Sequence, residues 1–255
     1  MRNKTIRDSV PTCLLGGMRI AALSQAETAE LMRRVVTGET GAEHPVYMTS
    51  ANGQVLSEYA RRPALRPLFD ADLVSADGQP MVVLSRLLSR NPVPDRCATT
   101  DLYHELSKRL PAGSRYFLLG ASPPEVERAV RTTERLYPHI EIVGYSHGYV
   151  RPEEEDALVA RINAAAPDIL WVSMGVPREQ AFSLAHRDRL PAVKIIKTSG
   201  GLFNFLSGSR PRAPRLVQAA GFEWAWRLML EPRRLFRRYL VSNAHSLLLL
   251  LTRTR

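Results

Sequence analysis

Only two cysteines occur in the 255 residues, Cys13 and Cys97, in unrelated contexts and without metal-ligand spacing. That excludes a disulfide or zinc framework and fits a reducing compartment. Long apolar runs are missing too: Leu247–Leu251 is five residues, far short of the roughly twenty that a membrane-spanning helix requires. The N-terminus opens on charged residues with no apolar stretch before a small-residue cleavage site, so no secretory signal and a cytoplasmic location are expected. There is no Gly-x-Gly-x-x-Gly turn after an early strand, which speaks against a nicotinamide-dependent oxidoreductase. Repeats and low-complexity segments are absent. Lysine is absent from residues 208–255 and acid nearly so: ten Arg and two Glu give this stretch +8 of the chain's +10.

What remains is close to neutral, with 25 basic and 23 acidic residues, so the high pI is a local property and a partner meets one face. With 45% apolar residues the chain can bury a substantial core. Pro45–Thr49, Arg115–Gly120, Ile140–Val143, Asp168–Met174 and Val193–Thr198 read as buried strands, with amphipathic stretches such as Pro124–Tyr137 and Pro152–Ala166 between them. That alternation predicts an α/β fold, a doubly wound Rossmann-like parallel sheet. Pro211 and Pro214 mark an extended connection. Residues 1–207 are expected to form the α/β body and 208–255 a helical, Arg-rich C-terminal appendage.

Several strands end in small or polar loops: Thr49 to Gly53, Gly120 to Ser122, Gly175 to Pro177 and Ser199 to Gly201. In open α/β sheets such loops form the ligand pocket, which makes Gly200 and Gly201 candidates. Asp77 in Ala-Asp-Gly follows an apolar run and suits either a general base or a turn and helix cap. Asp70-Ala-Asp72 has the form of a metal-chelating pair, but a solvated helix end explains three residues more cheaply, and no metal is expected. Arg96 suits a diphosphate clamp, and Asp101 a cap for a helix starting at Leu102. His147 is a candidate acid or base, or a turn residue. Arg178, Glu179 and Gln180 either read sugar hydroxyls or phosphate or cap a helix.

Gly221–Leu240 interleaves Arg with Trp, Leu and Tyr, and Pro232 after Glu231 divides it into two helices. Four Arg in the six residues Arg233–Arg238, with no acid among them, repel one another unless an anion bridges them. Nucleic acid is disfavoured, since no groove-reading or stacking motif accompanies the charge. A phospholipid or lipid diphosphate suits the apolar interleaving better, and the segment reads as peripheral to a membrane; docking on the protein's own core is the competing arrangement.

Together the motifs resemble the WecG/TagA/CpsF family of bacterial glycosyltransferases, from about Leu14 to Leu240. The resemblance rests on Ser50-Ala-Asn52, Ala76-Asp-Gly78, Arg96 with Thr100-Asp-Leu102, Val143 to Tyr149, Arg161-Ile-Asn163 with Pro167-Asp168, Gly175-Val-Pro177, Gly200-Gly201, Arg212-Ala-Pro214 and the run from Glu223-Trp224 to Leu240.

The resemblance implies an inverting, metal-independent and cofactor-free transfer of a sugar from a UDP-sugar donor to a polyprenyl-diphosphate-linked acceptor, at the inner face of the cell membrane, in exopolysaccharide or surface polysaccharide synthesis. It implies Asp77 as the base that deprotonates the acceptor hydroxyl. Asn52, with Ser50 or Thr49, would line the sugar site with Arg96 near it; Arg227, Arg234 and Arg237 would hold the lipid diphosphate or the leaving UDP. A homo-oligomer that covers the appendage until it meets membrane also fits. Two departures bear on the sugar: Glu179-Gln180 where members commonly read Gln-Glu, and Asn204 where many have Asp. N-acetylmannosamine, its uronic acid, glucose and glucuronic acid are all compatible donors. The alternative is a non-catalytic lipid- or nucleic-acid-binding protein on the same fold.

Overall fold

A computed structural model describes residues 4–42, 45–214, 216–217 and 222–255. Among these, a hairpin of β1 (Thr12–Leu15) and β2 (Met18–Ala21) stands beside a six-stranded parallel sheet. The sheet comprises β3 (Val46–Ala51), β4 (Leu73–Ala76), β5 (Ser114–Gly120), β6 (Ile140–Ser146), β7 (Ile169–Ser173) and β8 (Ile195–Thr198), in the order β4-β3-β8-β7-β5-β6. This is the doubly wound, Rossmann-like α/β fold expected from the sequence. The five predicted strand runs lie in β3, β5, β6, β7 and β8. β7, Ile-Leu-Trp-Val-Ser, is buried throughout, as a strand covered on both faces must be.

Helices cover both faces. α2 (Gln25–Val36), α5 (Thr99–Arg109), α6 (Pro123–Leu136) and α9 (Leu202–Leu206) share one core with Val46, Met48 and Trp171. A short α1 (Lys4–Ser9) joins it through Ile6. On the other face lie α3 (Gly53–Arg61), α4 (Gln79–Leu88), α7 (Glu155–Ala165) and α8 (Arg178–His186). Local chemistry fixes the starts: Ser24 with Glu27, and Ser122 with Glu125, form capping boxes that satisfy free N–H groups at the ends of α2 and α6.

The C-terminal region forms α10 (Glu223–Leu230) and α11 (Pro232–Thr252), parted where Pro232 demands it. The end of α11 reaches back into the body. Leu249 and Leu250 are buried with Leu15, Val55 and Leu56, and Ser57 Oγ lies 2.9 Å from His245 Nδ1. A Cβ at Gly53 would come within 2.8 Å of Ser246 Oγ, so glycine permits the close approach of α3 and α11. Beyond the helix, Arg255 exchanges backbone hydrogen bonds with Leu14 at 3.0 and 3.2 Å, and Gly17 N–H bonds Arg253 O at 2.9 Å. The end of the C-terminal segment thus docks on the body beside the hairpin, the competing arrangement to membrane contact for this part of the chain. No helix among the described residues is long and apolar enough to cross a membrane.

Candidate active site

At neighbouring β3 and β8 the winding reverses: β3 leads to α3 on one face and β8 to α9 on the other. Such a switch point opens a crevice outside the carboxyl ends of the strands. Here the crevice measures about 410 Å³. Its wall takes Ser50 and Asn52 from the end of β3, Asp77 after β4, Glu179 from α8, and Thr198 to Gly201 after β8. Arg96, Arg212, Glu223 and Trp224 close one side, and Asn243, Ser246, Leu247 and Leu250 of α11 another. Two larger hollows, of about 510 and 590 Å³, lie away from these strand ends, beside the hairpin and between α1 and α2.

Asp77 follows β4 directly, and its N–H bonds Ala51 O at 2.7 Å, so the sheet fixes its backbone. Gly78 is the N-cap of α4. Asn52 is the N-cap of α3, its Oδ1 accepting from Val55 N–H at 3.1 Å, and it also lines the cleft. The sugar-site candidates Ser50, Asn52, Gly200 and Gly201 therefore meet Asp77 and Arg96 around one cavity. Gly200 has φ +56°, which an L side chain adopts with strain.

Thr49 and Gln180 are placed differently. Both are buried, and neither is on the wall. Gln180 Nε2 donates to Thr49 Oγ1 at 3.3 Å, and Thr49 shares a 2.8 Å hydrogen bond with Thr198. They support the floor from beneath, because odd positions of β3 face α8 while Ser50 faces α5. Beside them Glu179 Oε2 accepts N–H groups from both glycine loops, Gly175 at 3.1 Å and Gly200 at 2.9 Å. Burial pushes the Glu179 carboxyl up to about 7, against the lowering effect of those donors and of Lys197.

The arginines at the mouth are held by carboxylates. Arg96 Nη1 donates to Glu223 Oε2 at 3.0 Å, while its Nη2 lies 3.6 Å from Asp101. Arg212 grips Asp101 through two hydrogen bonds of 2.6 and 3.0 Å. Burial alone would raise the Asp101 pKa, but the Arg212 bonds and the nearby Arg96 charge bring it below the usual value. Asp101 is thus not the expected cap: α5 begins at Thr99, and the carboxylate in its first turn is turned to Arg212. The side chains of Arg227, Arg234 and Arg237 lie outside the described residues.

Other candidates sit elsewhere. His147 Nδ1 accepts from Tyr149 N–H at 3.3 Å, in a turn. Arg178 donates to Val150 O at 2.6 Å. Asp70 pairs with Arg7 at 2.7 Å, and Asp72 with buried Arg187 at 2.5 Å, at the far end of β4 from the cleft. Among the described residues, no three His, Cys, Asp or Glu side chains gather as a metal site would require.

Sequence reasoning passed over three participants. Arg212 and Glu223 lie in motifs whose spacing gives no sign of a role, and only the fold brings them to Arg96 and Asp101. Lys197 carried a signal, a lysine within the apolar run Val193–Thr198 that should be buried on both sides.

Two comparisons show what the chain is similar to. The model of the family described as Glycosyl transferase WecG/TagA/CpsF matches residues 13–255. An N-acetylglucosaminyldiphosphoundecaprenol N-acetyl-beta-D-mannosaminyltransferase of Bacillus spizizenii is 32% identical over 190 residues, which cover 74% of this chain and 72% of that protein.

Proposed function

Since the chain belongs to the WecG/TagA/CpsF family of glycosyltransferases, we propose that it transfers a hexose-type sugar from a UDP-sugar to a polyprenyl-diphosphate-linked N-acetylglucosamine, with inversion and without a metal, in bacterial surface polysaccharide synthesis. The acceptor follows the activity for which the Bacillus relative is named. The same name favours N-acetylmannosamine among the four compatible donors. The observation that carries the mechanism is the placing of Asp77 in the wall of the switch-point cleft that Arg96 and Arg212 also line.

Glycosyl transfer needs a base on the acceptor side and positive charge where the leaving diphosphate accumulates negative charge. Asp77 takes the proton from the acceptor hydroxyl as its oxygen attacks the anomeric carbon. The bond from that carbon to the UDP oxygen breaks with its electron pair going to UDP. Arg96 and Arg212 face the departing diphosphate, a role for which the bidentate guanidinium is suited. Ser50, Asn52 and the Gly200-Gly201 backbone hold the sugar hydroxyls.

The lipid side of the acceptor meets the C-terminal helices. Phe222, Trp224, Met229, Leu230, Phe236 and Val241 are exposed there, a larger apolar surface than a solvent-facing region ordinarily carries. Interleaved with Arg227, Arg233, Arg234 and Arg237, this pattern suits attachment to an anionic bilayer surface.

The test is UDP release from a panel of UDP-sugars, with and without a polyprenyl-diphosphate-N-acetylglucosamine acceptor, in EDTA. Acceptor-stimulated release with one donor is expected. Asp77→Asn, folded as wild type, is expected to lose about 10²- to 10⁴-fold of it. Retained activity in Asp77→Asn would remove Asp77 as the base, and loss of wild-type activity in EDTA would remove the metal-free mechanism. No release from any donor would turn the proposal toward a binding protein.

A further inference from the structure

The deepest charged group of the site has no part in the chemistry so far. Lys197 is one of four lysines among the 35 basic residues, and its side chain, in the middle of the sheet, is fully buried. An ammonium taken out of water is costly unless hydrogen bonds and opposite charge compensate it. Two hydrogen bonds do so here: Nζ donates to Ser50 Oγ at 2.9 Å and to Thr198 O at 2.8 Å. Three titratable groups act on it, one from each neighbouring element: Cys97 ahead of α5, Glu179 of α8 and Asp77 after β4. Burial lowers the Lys197 pKa to about 8, and those three groups oppose the shift. Burial pushes the Cys97 thiol up to about 12, which leaves a weak dipole and not a charge.

Ser50 passes the contact on to the wall. Its hydroxyl lies 3.0 Å from Ser75 Oγ and 3.1 Å from Thr99 Oγ1. Ser50 and Thr99 line the cleft, and Ser75 is opposite Ser50 in the β3–β4 register, two residues before Asp77. A lysine needed only to fill the sheet would be better replaced by leucine or methionine, since a buried charge rarely adds stability over a packed apolar residue. Its bonds instead run to the polar floor beside the base.

We propose that Lys197 is a positioning residue for the transfer reaction: its buried ammonium orients the Ser50 hydroxyl in the floor of the cleft and supplies the cationic field in which the Asp77 carboxylate works. The inference rests on Asp77 being the base. Arg212, itself tied to Asp101, also interacts with Asp77, so the field is shared and removal of Lys197 weakens it without abolishing it.

The experiment is the pH dependence of kcat and KM at saturating acceptor for wild type, Lys197→Met and Lys197→Gln, with Asp77→Asn as reference. Both neutral variants are expected to move the acid limb of kcat upward by about one pH unit, to lower kcat by roughly tenfold or more and, because Ser50 faces the sugar, to raise KM for the UDP-sugar. An unmoved acid limb in either folded variant overturns the proposal. Should both variants fail to fold, coupling is read from the other side, in proteins that keep Lys197. With lysine labelled by ¹³C at Cε, the buried residue should titrate at lower pH in Asp77→Asn than in wild type, because interacting sites shift one another reciprocally. Identical titration in the two proteins overturns the proposal. An active Asp77→Asn would instead remove the base reading itself, whereas an inactive one with unmoved limb and titration would remove only the role of Lys197.

Discussion

The floor of the cleft and the C-terminal helices each invert the usual rule of burial, in opposite senses. Under the cleft, Lys197, Glu179, Gln180 and Thr49 are polar and buried, each fixed by hydrogen bonds. Just before and along α10 and in the first half of α11, Phe222, Met229, Leu230 and Phe236 are apolar and exposed. Both arrangements cost stability in isolation, one through desolvation and the other through apolar surface left in water. A protein keeps such features where a ligand uses them: a preorganised floor serves a polar sugar nucleotide, and an uncovered apolar arm serves a lipid. Under the proposed transfer the two arrangements correspond to the two substrates, with Arg96 and Arg212 on the cleft wall between them.

Substitution can break or sharpen that contrast. The largest effect is expected where α11 leaves the exposed regime and enters the core: Leu250→Ala should lower unfolding free energy by about 2–4 kcal/mol in urea titrations. A smaller effect is expected in the floor. The Glu179 pKa is raised on folding, so its contribution to stability is fully present below about pH 4.5 and lost as pH rises toward about 7. Wild type should therefore lose roughly 1–3 kcal/mol relative to Glu179→Gln between those pH values, and parallel stability profiles for the two proteins would show the carboxyl to be ionised throughout. The smallest effect on stability is expected in the arm: Met229→Ser with Phe236→Ser should stay within about 0.5 kcal/mol of wild type. The same double variant should lose binding to vesicles of anionic phospholipid in a sedimentation assay, and undiminished binding would place the membrane contact elsewhere.

The sheet was legible because buried parallel strands are short continuous apolar runs, and five of the six were read that way. β4 was legible only as the apolar run before Asp77, because four residues are too few to declare a strand. The hairpin escaped although Gly16-Gly17, both at positive φ, is the turn that a two-residue hairpin loop requires. At the site, strand ends pointed to the loops that hold Ser50, Asn52, Gly200 and Gly201, since pockets form there, whereas the part expected of Asp77 came from the family resemblance. Position along the strand did not suffice for Thr49 or Gln180, because a single step along β3 exchanges one face of the sheet for the other and a helix turn separates wall from core. Nor could it pair Arg96 with Glu223, 127 residues away, because such contacts are made by the fold and leave no local pattern.

The backbone pairing of Arg253 and Arg255 with the β1–β2 hairpin also has a bearing on biosynthesis. Asn243, Ser246, Leu247 and Leu250 are the part of the cleft translated last, and the residues that fasten them follow later still. On the ribosome the sheet and its polar floor can assemble while the cleft still lacks its α11 wall. The hairpin, made before the sheet, thus fastens a segment made after it, and closure of that cleft wall waits on a contact between parts of the chain synthesised far apart in time.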